Sequence, residues 1–233
     1  MTGMSQCVFD IETAPLPDAE IPLSLIDKLR ESNGEKAVGE SWRERLALFA
    51  PSSTVVVIGM LNPDTGRGQV LYDDRHGTLE QVEVPDGFEV ELIGGDEPRL
   101  LERFWAAVAN FRKVITYNGR GFDVPFLMQR SLIRNVPVSV NLMPPRFHRG
   151  TNHLDLLEVI SQFKSVRPLG LATWVEAIGE SSPKDGSVAG AEVGKAFLEG
   201  RTGEIVEYCM RDVVATAQLA QRIERLWGPL LRS

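Results

Sequence analysis

Near the start of the chain, the strand-forming run Cys7-Val8-Phe9-Asp10-Ile11-Glu12-Thr13 is interrupted by two carboxylates two positions apart. Side chains alternate along a strand, so Asp10 and Glu12 face one side while Phe9 and Ile11 face the other. Two anions in one dry patch raise each other's pKa unless a cation sits between them. Oxygen ligands of this kind suit a hard divalent metal. Taken alone, the pair also fits an edge strand carrying two solvated acids. The remaining sequence has to decide between the two.

The patterns that follow define an α/β architecture. Between Ala14 and Ser53 the apolar sets Leu23, Ile26, Leu29 and Trp42, Leu46, Phe49 recur at helical spacing. This stretch, about 14–53, is expected to be an insertion packed beside the sheet, or a lid over the end of the first strand. Thr54–Leu61 is β-branched, and the turn Asn62-Pro63-Asp64-Thr65-Gly66 leads into Gln69–Tyr72, which predicts a hairpin. The alternating run Phe88–Ile93 is expected to extend the antiparallel part of the sheet. Helical spacing begins at Pro98 with Leu100, Leu101, Phe104, Trp105, Val108 and Phe111. The order strand (113–117), helix (containing Phe122, Phe126 and Leu127), then 153–157 as the last strand and the start of the next helix predicts a partly parallel remainder. From Leu169 to Leu231 a helical reading holds, apart from a loop at 179–190. The expected fold is a mixed central sheet, antiparallel hairpin strands plus parallel strands, flanked by helices.

Composition narrows the class. At 233 residues with 43% hydrophobic residues, the chain is expected to form one globular domain, 1–233. Its two cysteines, Cys7 and Cys209, lie in apolar patterns, which suits reduced buried thiols, and with three scattered histidines they make no soft-metal cluster. The start of the chain has no basic and apolar leader, and no stretch of about 18 apolar residues occurs. A soluble cytoplasmic protein with no membrane partner is therefore expected. The net charge of −7 argues against coating nucleic acid through bulk positive charge. Its distribution is uneven, however. Residues 62–103 hold eleven Asp/Glu against four Arg, whereas 128–168 hold six Lys/Arg against Asp155 and Glu158. Arg130, Arg134, Arg146, Arg149, Lys164 and Arg167, with Phe147 and His148 between them, form a candidate phosphate-and-base surface.

Two further constellations carry chemistry. Asn118-Gly119-Arg120-Gly121-Phe122-Asp123-Val124-Pro125 sits where a strand hands over to a helix, the place where open α/β sheets build their sites. Asp123 there is also in position to cap the helix. Near the C-terminus, Tyr208 and Asp212 are four residues apart and share a helix face. Their neighbours Ile205, Cys209, Val213 and Ala217 turn that stretch toward the core.

The set Asp10-x-Glu12-Thr13, Asn118-x-x-x-Phe122-Asp123-x-Pro125 and Tyr208-x-x-x-Asp212, in that order, resembles the DEDDy group of 3′–5′ exonucleases of the ribonuclease-H-like superfamily. Within it, the chain looks most like predicted stand-alone exonucleases related to the proofreading domain of family B DNA polymerases. The sister group with a histidine five residues before the last aspartate is less similar, because Glu207 stands there. The resemblance implies a two-metal-ion enzyme using Mg²⁺ or Mn²⁺. Asp10 would bridge the ions, Glu12 and Asp212 would complete one, and Asp123 would hold the other. Tyr208 would orient the attacking water. Substrate contacts would come from Thr13, Asn118, Phe122, Arg130 and Lys184. The implied activity is release of nucleoside monophosphates from the 3′ ends of single-stranded nucleic acid, DNA above RNA. Two other readings remain open here: an inactive nucleic-acid- or partner-binding module, and a phosphodiesterase for short oligonucleotides.

Overall fold

The computed structural model describes residues 5–33, 45–145, 152–180 and 188–231. Six strands form one sheet: β1 (Gln6–Pro15), β2 (Ser53–Asn62), β3 (Arg67–Asp73), β4 (Glu89–Gly95), β5 (Lys113–Thr116) and β6 (His153–Asp155). Their spatial order is β4-β3-β2-β1-β5-β6. β1 pairs antiparallel with β2, and β2 with β3, as the turn chemistry at 62–66 requires. β5 and β6 run parallel to β1. The sheet is mixed and flanked by helices on both faces, as the sequence patterns predict.

One strand direction differs from expectation, because β4 pairs parallel with β3 instead of antiparallel. The segment between them crosses the sheet before pairing, with Leu79, Val82 and Val84 packed on the core and the Leu79 N–H donated to the Tyr72 hydroxyl. Its short-range alternation reports a half-buried strand and carries no information about direction.

Two apolar layers enclose the sheet. On one face lie α2 (Glu97–Val108) and α3 (Asp123–Arg134), closing over Phe9, Ile11, Ile58 and Met60. On the other lie α4 (Leu156–Ile160), α5 (Leu171–Ala177), α6 (Val193–Leu198) and the long α7 (Thr202–Leu231), packed on Val8, Ala14, Val57 and Leu61. The C-terminal region is thus several helices, with α6 and α7 separated at Gly200, whose φ of 76° is the left-handed value that ends helices. α1 (Leu23–Asn33) fulfils part of the insertion's predicted helicity, yet Leu23 is 76% exposed. Trp42, Arg146, Phe147, His148, Arg149 and Lys184 lie outside the described residues, as does the side chain of Leu29. Among the described residues no helix is long and apolar enough to cross a membrane.

Candidate active site

β1 pairs with β5 only from Gln6 to Val8 and then runs on past it. Asp10 and Glu12 follow immediately, on the α7 face between Val8 and Ala14. β5 ends at Thr116, and the turn after it delivers Asp123, the first residue of α3, to the open edge of β1. There Asp123 Oδ1 accepts the Ile11 backbone N–H at 3.2 Å. Asp123 also lies close enough to Asp10 for its charge to raise the Asp10 carboxyl.

The turn itself is held from β6. Asp155, at the strand's end, is buried and accepts the N–H groups of Asn118 (2.9 Å), Arg120 (2.9 Å) and Leu157 (3.0 Å). Asn118 sits at φ 64°, and at Gly119 a Cβ would come within 2.3 Å of Thr116 Oγ1. Only glycine fits there.

α7 supplies the third wall. Ile205, Cys209, Val213 and Ala217 are buried against the sheet, which aims Tyr208 and Asp212 at the same edge. Gly59, the β2 residue paired with Asp10, sets how closely α7 approaches. A Cβ on Gly59 would meet Cys209 Sγ and Val213 Cγ2 at 3.0 Å each. The Cys209 thiol donates to the Asp10 carbonyl at 3.6 Å. Potential ligand atoms of Asp10, Glu12 and Cys209 all lie within 4.8 Å of one another.

The electrostatics follow from this convergence. Burial pushes the Asp10 carboxyl well above the ordinary carboxylate range, and the charges of Asp123, Asp212 and Glu12 add to it. Glu12 is raised by burial, then by Asp212 and Asp123. Burial raises Asp123 to about 7, against the pull of the Ile11 N–H. Burial and the charges of Asp212, Glu12 and Asp10 raise the Tyr208 hydroxyl, which is hydrogen-bonded to Asp212. Tyr208 is therefore a proton-holding donor in this environment and a poor base. Carboxylates that destabilise one another's charge, with oxygen as the main donor atom, fit hard divalent cations. Cys209 is a buried soft neighbour that its apolar context in sequence conceals.

The expected substrate contacts separate into groups. Asn118 and Phe122 are half-buried at the β5 turn, the Phe122 ring lying 5.4 Å from that of Phe126. The Thr13 hydroxyl is committed internally to the Ala47 carbonyl at 2.8 Å. Arg130 is corrected. It is 1% exposed, its guanidinium bonds both Glu97 oxygens and the Ala50 carbonyl, and Glu97 also accepts the Val55 N–H. Arg134 bonds the same carboxylate. Arg130 is thereby withdrawn from the candidate nucleic-acid surface, while Arg134 stays partly exposed but paired with Glu97. Glu207 accepts the Glu83 N–H and so is turned toward the β3–β4 crossover. Sequence reasoning undervalued Asp155 and Gly59, for which the available signals were an acid ending a strand and a lone glycine inside a β-branched strand.

Comparisons with known proteins give one family and several more distant relatives. Residues 77–232 match a family described as predicted 3′–5′ exonucleases related to the exonuclease domain of PolB. That span includes Asn118–Asp123, Asp155, Tyr208 and Asp212, while Asp10 and Glu12 precede it. A DNA polymerase of Pyrococcus glycovorans is 27% identical over 186 residues, covering 70% of this chain and 23% of the polymerase. DNA polymerase 1 of Pyrococcus abyssi is 26% identical over 190 residues, covering 72% and 24%. The chain spans about a quarter of the length of these curated relatives.

Proposed function

This chain belongs to the family of predicted 3′–5′ exonucleases related to the exonuclease domain of PolB, and from that premise we propose that it removes single nucleotides from the 3′ ends of single-stranded nucleic acid, DNA above RNA, with two divalent ions. The observation that carries this reading is the meeting of Asp10, Glu12, Asp123 and Asp212, from one strand and two helices, with burial and mutual repulsion raising the first three.

Asp10, Glu12, Asp123 and Asp212 would hold two Mg²⁺ or Mn²⁺ ions. When bound, such ions neutralise the phosphodiester's charge and stabilise the attacking and leaving oxygens. The protein does the rest. Tyr208, fastened to Asp212, directs the attacking water through its hydroxyl oxygen. Asp155 fixes the Asn118–Arg120 turn and thereby the position of Asp123. Walls of strand and helix on several sides suit a frayed strand end better than stacked duplex. The surface charge favours few phosphate contacts, about two to four, which gives a log affinity against log salt slope of about −1.4 to −2.8.

The test is incubation of the purified protein with end-labelled single-stranded DNA and RNA in Mn²⁺ or EDTA. Expected are ladders shortened from the 3′ end, in Mn²⁺ alone, stopped by a 3′ phosphate and indifferent to a blocked 5′ end. Cleavage of circular single strands, or full activity in EDTA, defeats the proposal.

A further inference from the structure

The turn that follows α4, residues 161–170, holds three consecutive non-glycine residues in the left-handed region: Gln162 (φ 48°), Phe163 (φ 56°) and Lys164 (φ 70°). L residues pay a steric cost there, and such runs persist only where the surrounding fold imposes them. The restraints are visible beneath the loop. The Phe163 N–H is donated to the Glu158 carbonyl at 2.7 Å, the Val166 N–H to the Ser161 carbonyl at 3.1 Å, and the Lys164 N–H to the buried Ser161 hydroxyl at 3.0 Å. At its far end, the Leu169 carbonyl accepts the hydroxyl of Tyr117, the residue immediately before Asn118.

This rigid backbone turns apolar and cationic side chains outward together. Phe163 is 47% exposed, Val166 55% and Leu169 43%. Lys164 and Arg167 are exposed beside them, and among the described residues neither has an ion-pair partner. Elsewhere in the basic segment, Arg130 is buried on Glu97, and Arg134, partly exposed, is paired with the same carboxylate. In the described part of that segment, the cations without an ion-pair partner are therefore the two beside the exposed aromatic ring. The loop belongs to the same end of the sheet as the carboxylates. β1, β5 and β6 are parallel; Asp10 lies just past the part of β1 that pairs with β5, the Asn118–Asp123 turn and Asp155 lie at or beyond the C-terminal ends of β5 and β6, and α4 and this loop continue from Asp155.

We propose that the 161–170 loop is a docking surface for single-stranded nucleic acid, on which Phe163 stacks against a base while Lys164 and Arg167 contact phosphates. The inference rests on the exonuclease reading for its ligand class. Stacking on an exposed ring is indifferent to base identity, and two cations suffice to track a short length of backbone. A preformed backbone presents both without an ordering cost on binding.

The experiment compares the wild type with Phe163→Ala, Phe163→Trp and the double variant Lys164→Glu/Arg167→Glu. Thermal unfolding checks that each is folded. Binding of a labelled single-stranded oligonucleotide is read by anisotropy in Ca²⁺ over a salt series, and hydrolysis of the p-nitrophenyl ester of thymidine 5′-monophosphate is read in Mn²⁺. Phe163→Ala should weaken oligonucleotide binding roughly tenfold and Phe163→Trp should restore it. The double variant should weaken it further and flatten the salt slope by about 1.4. Hydrolysis of the small ester should stay within about twofold of wild type, because the ester is too short to span the loop. Unchanged oligonucleotide affinity in the variants overturns the proposal, as does a parallel loss of ester hydrolysis, which would mark a structural role. Wild type that ignores single strands but binds anionic vesicles through this loop also overturns it. Loop variants that lose affinity in a protein that hydrolyses neither substrate would uphold the docking surface and defeat the exonuclease reading instead.

Discussion

Asp123 reaches across from the start of α3 and accepts the backbone N–H of Ile11, the residue between Asp10 and Glu12. An N–H that the departing β5 strand leaves without a ladder partner is thereby satisfied by a carboxylate of the candidate site. One side chain fastens two elements and contributes to the cluster. The consequence is that the four acids are not energetically equivalent, although all are proposed to hold metal.

Asp10→Ala and Asp123→Ala are expected to diverge in stability while agreeing in activity. Both should abolish turnover. Asp10→Ala removes a mutually repelling charge and should raise the melting temperature in EDTA at pH 8. Asp123→Ala removes a charge too, but orphans the buried Ile11 N–H at a cost of about 1–3 kcal/mol. Its melting temperature should fall below that of Asp10→Ala. Equal stabilisation by both, or full activity in Asp10→Ala, refutes the assignment.

The same repulsion makes the metal-free protein sensitive to base. Asp10, Glu12 and Asp123 have folded-state pKa values above their unfolded values, Asp123 at about 7. The folded state therefore binds more protons, and the stability these groups contribute is fully present below about pH 4 and is lost as pH rises through about 7 and beyond. Melting in EDTA should decline from pH 5 to pH 8 by more than in Asp10→Ala. Mn²⁺ should reverse the decline, since metal binding requires the deprotonated acids. A metal-free melting temperature that climbs over this interval contradicts the raised values.

Much of this arrangement was legible in the residues themselves. Alternation in Cys7–Thr13 placed Asp10 and Glu12 opposite Phe9 and Ile11, and the two faces do belong to different apolar layers. Helical spacing put Tyr208 and Asp212 on the inner side of α7. What local pattern cannot convey is direction and long-range pairing. β4 alternates identically whether parallel or antiparallel, and Arg130 is read as a surface cation until Glu97, 33 residues away in sequence, is found beneath it. Asp155 likewise looks like a strand terminus, because its three N–H partners are contributed by a distant turn and its own helix.

Arg130 gives a direct test of that last distinction. Arg130→Ala leaves Glu97 buried with Arg134 as its remaining side-chain cation and should cost about 3–5 kcal/mol of stability. The KM for oligonucleotides, measured below the lowered melting temperature, should be unchanged. A rise in KM without loss of stability would return Arg130 to the substrate surface.

Tyr208→Phe isolates one hydroxyl. The ring and its packing persist, but the hydrogen bond to Asp212 is lost. Turnover should fall roughly 10²-fold or more if that oxygen directs water in the transition state. Metal affinity, followed by the Mn²⁺ dependence of melting, should hardly move. Normal turnover would reduce Tyr208 to a packing residue.

Gly59 tests whether the approach of α7 is itself catalytic geometry. It contributes no functional group, yet it pairs with Asp10 and lies under Cys209 and Val213. A methyl group at 3.0 Å from both forces one side to give by a few tenths of an ångström, and in a close-packed interior that displacement passes to the helix carrying Tyr208 and Asp212. Misplacement on the scale of 1 Å costs about 10²-fold in rate, so Gly59→Ala should lower kcat roughly tenfold, with a smaller effect on KM. Adding Cys209→Ala removes one of the two contacts and should restore part of the rate. If Gly59→Ala loses stability but keeps its kcat, the helix accommodates the methyl group by local repacking and its distance from β1 is not set by this glycine.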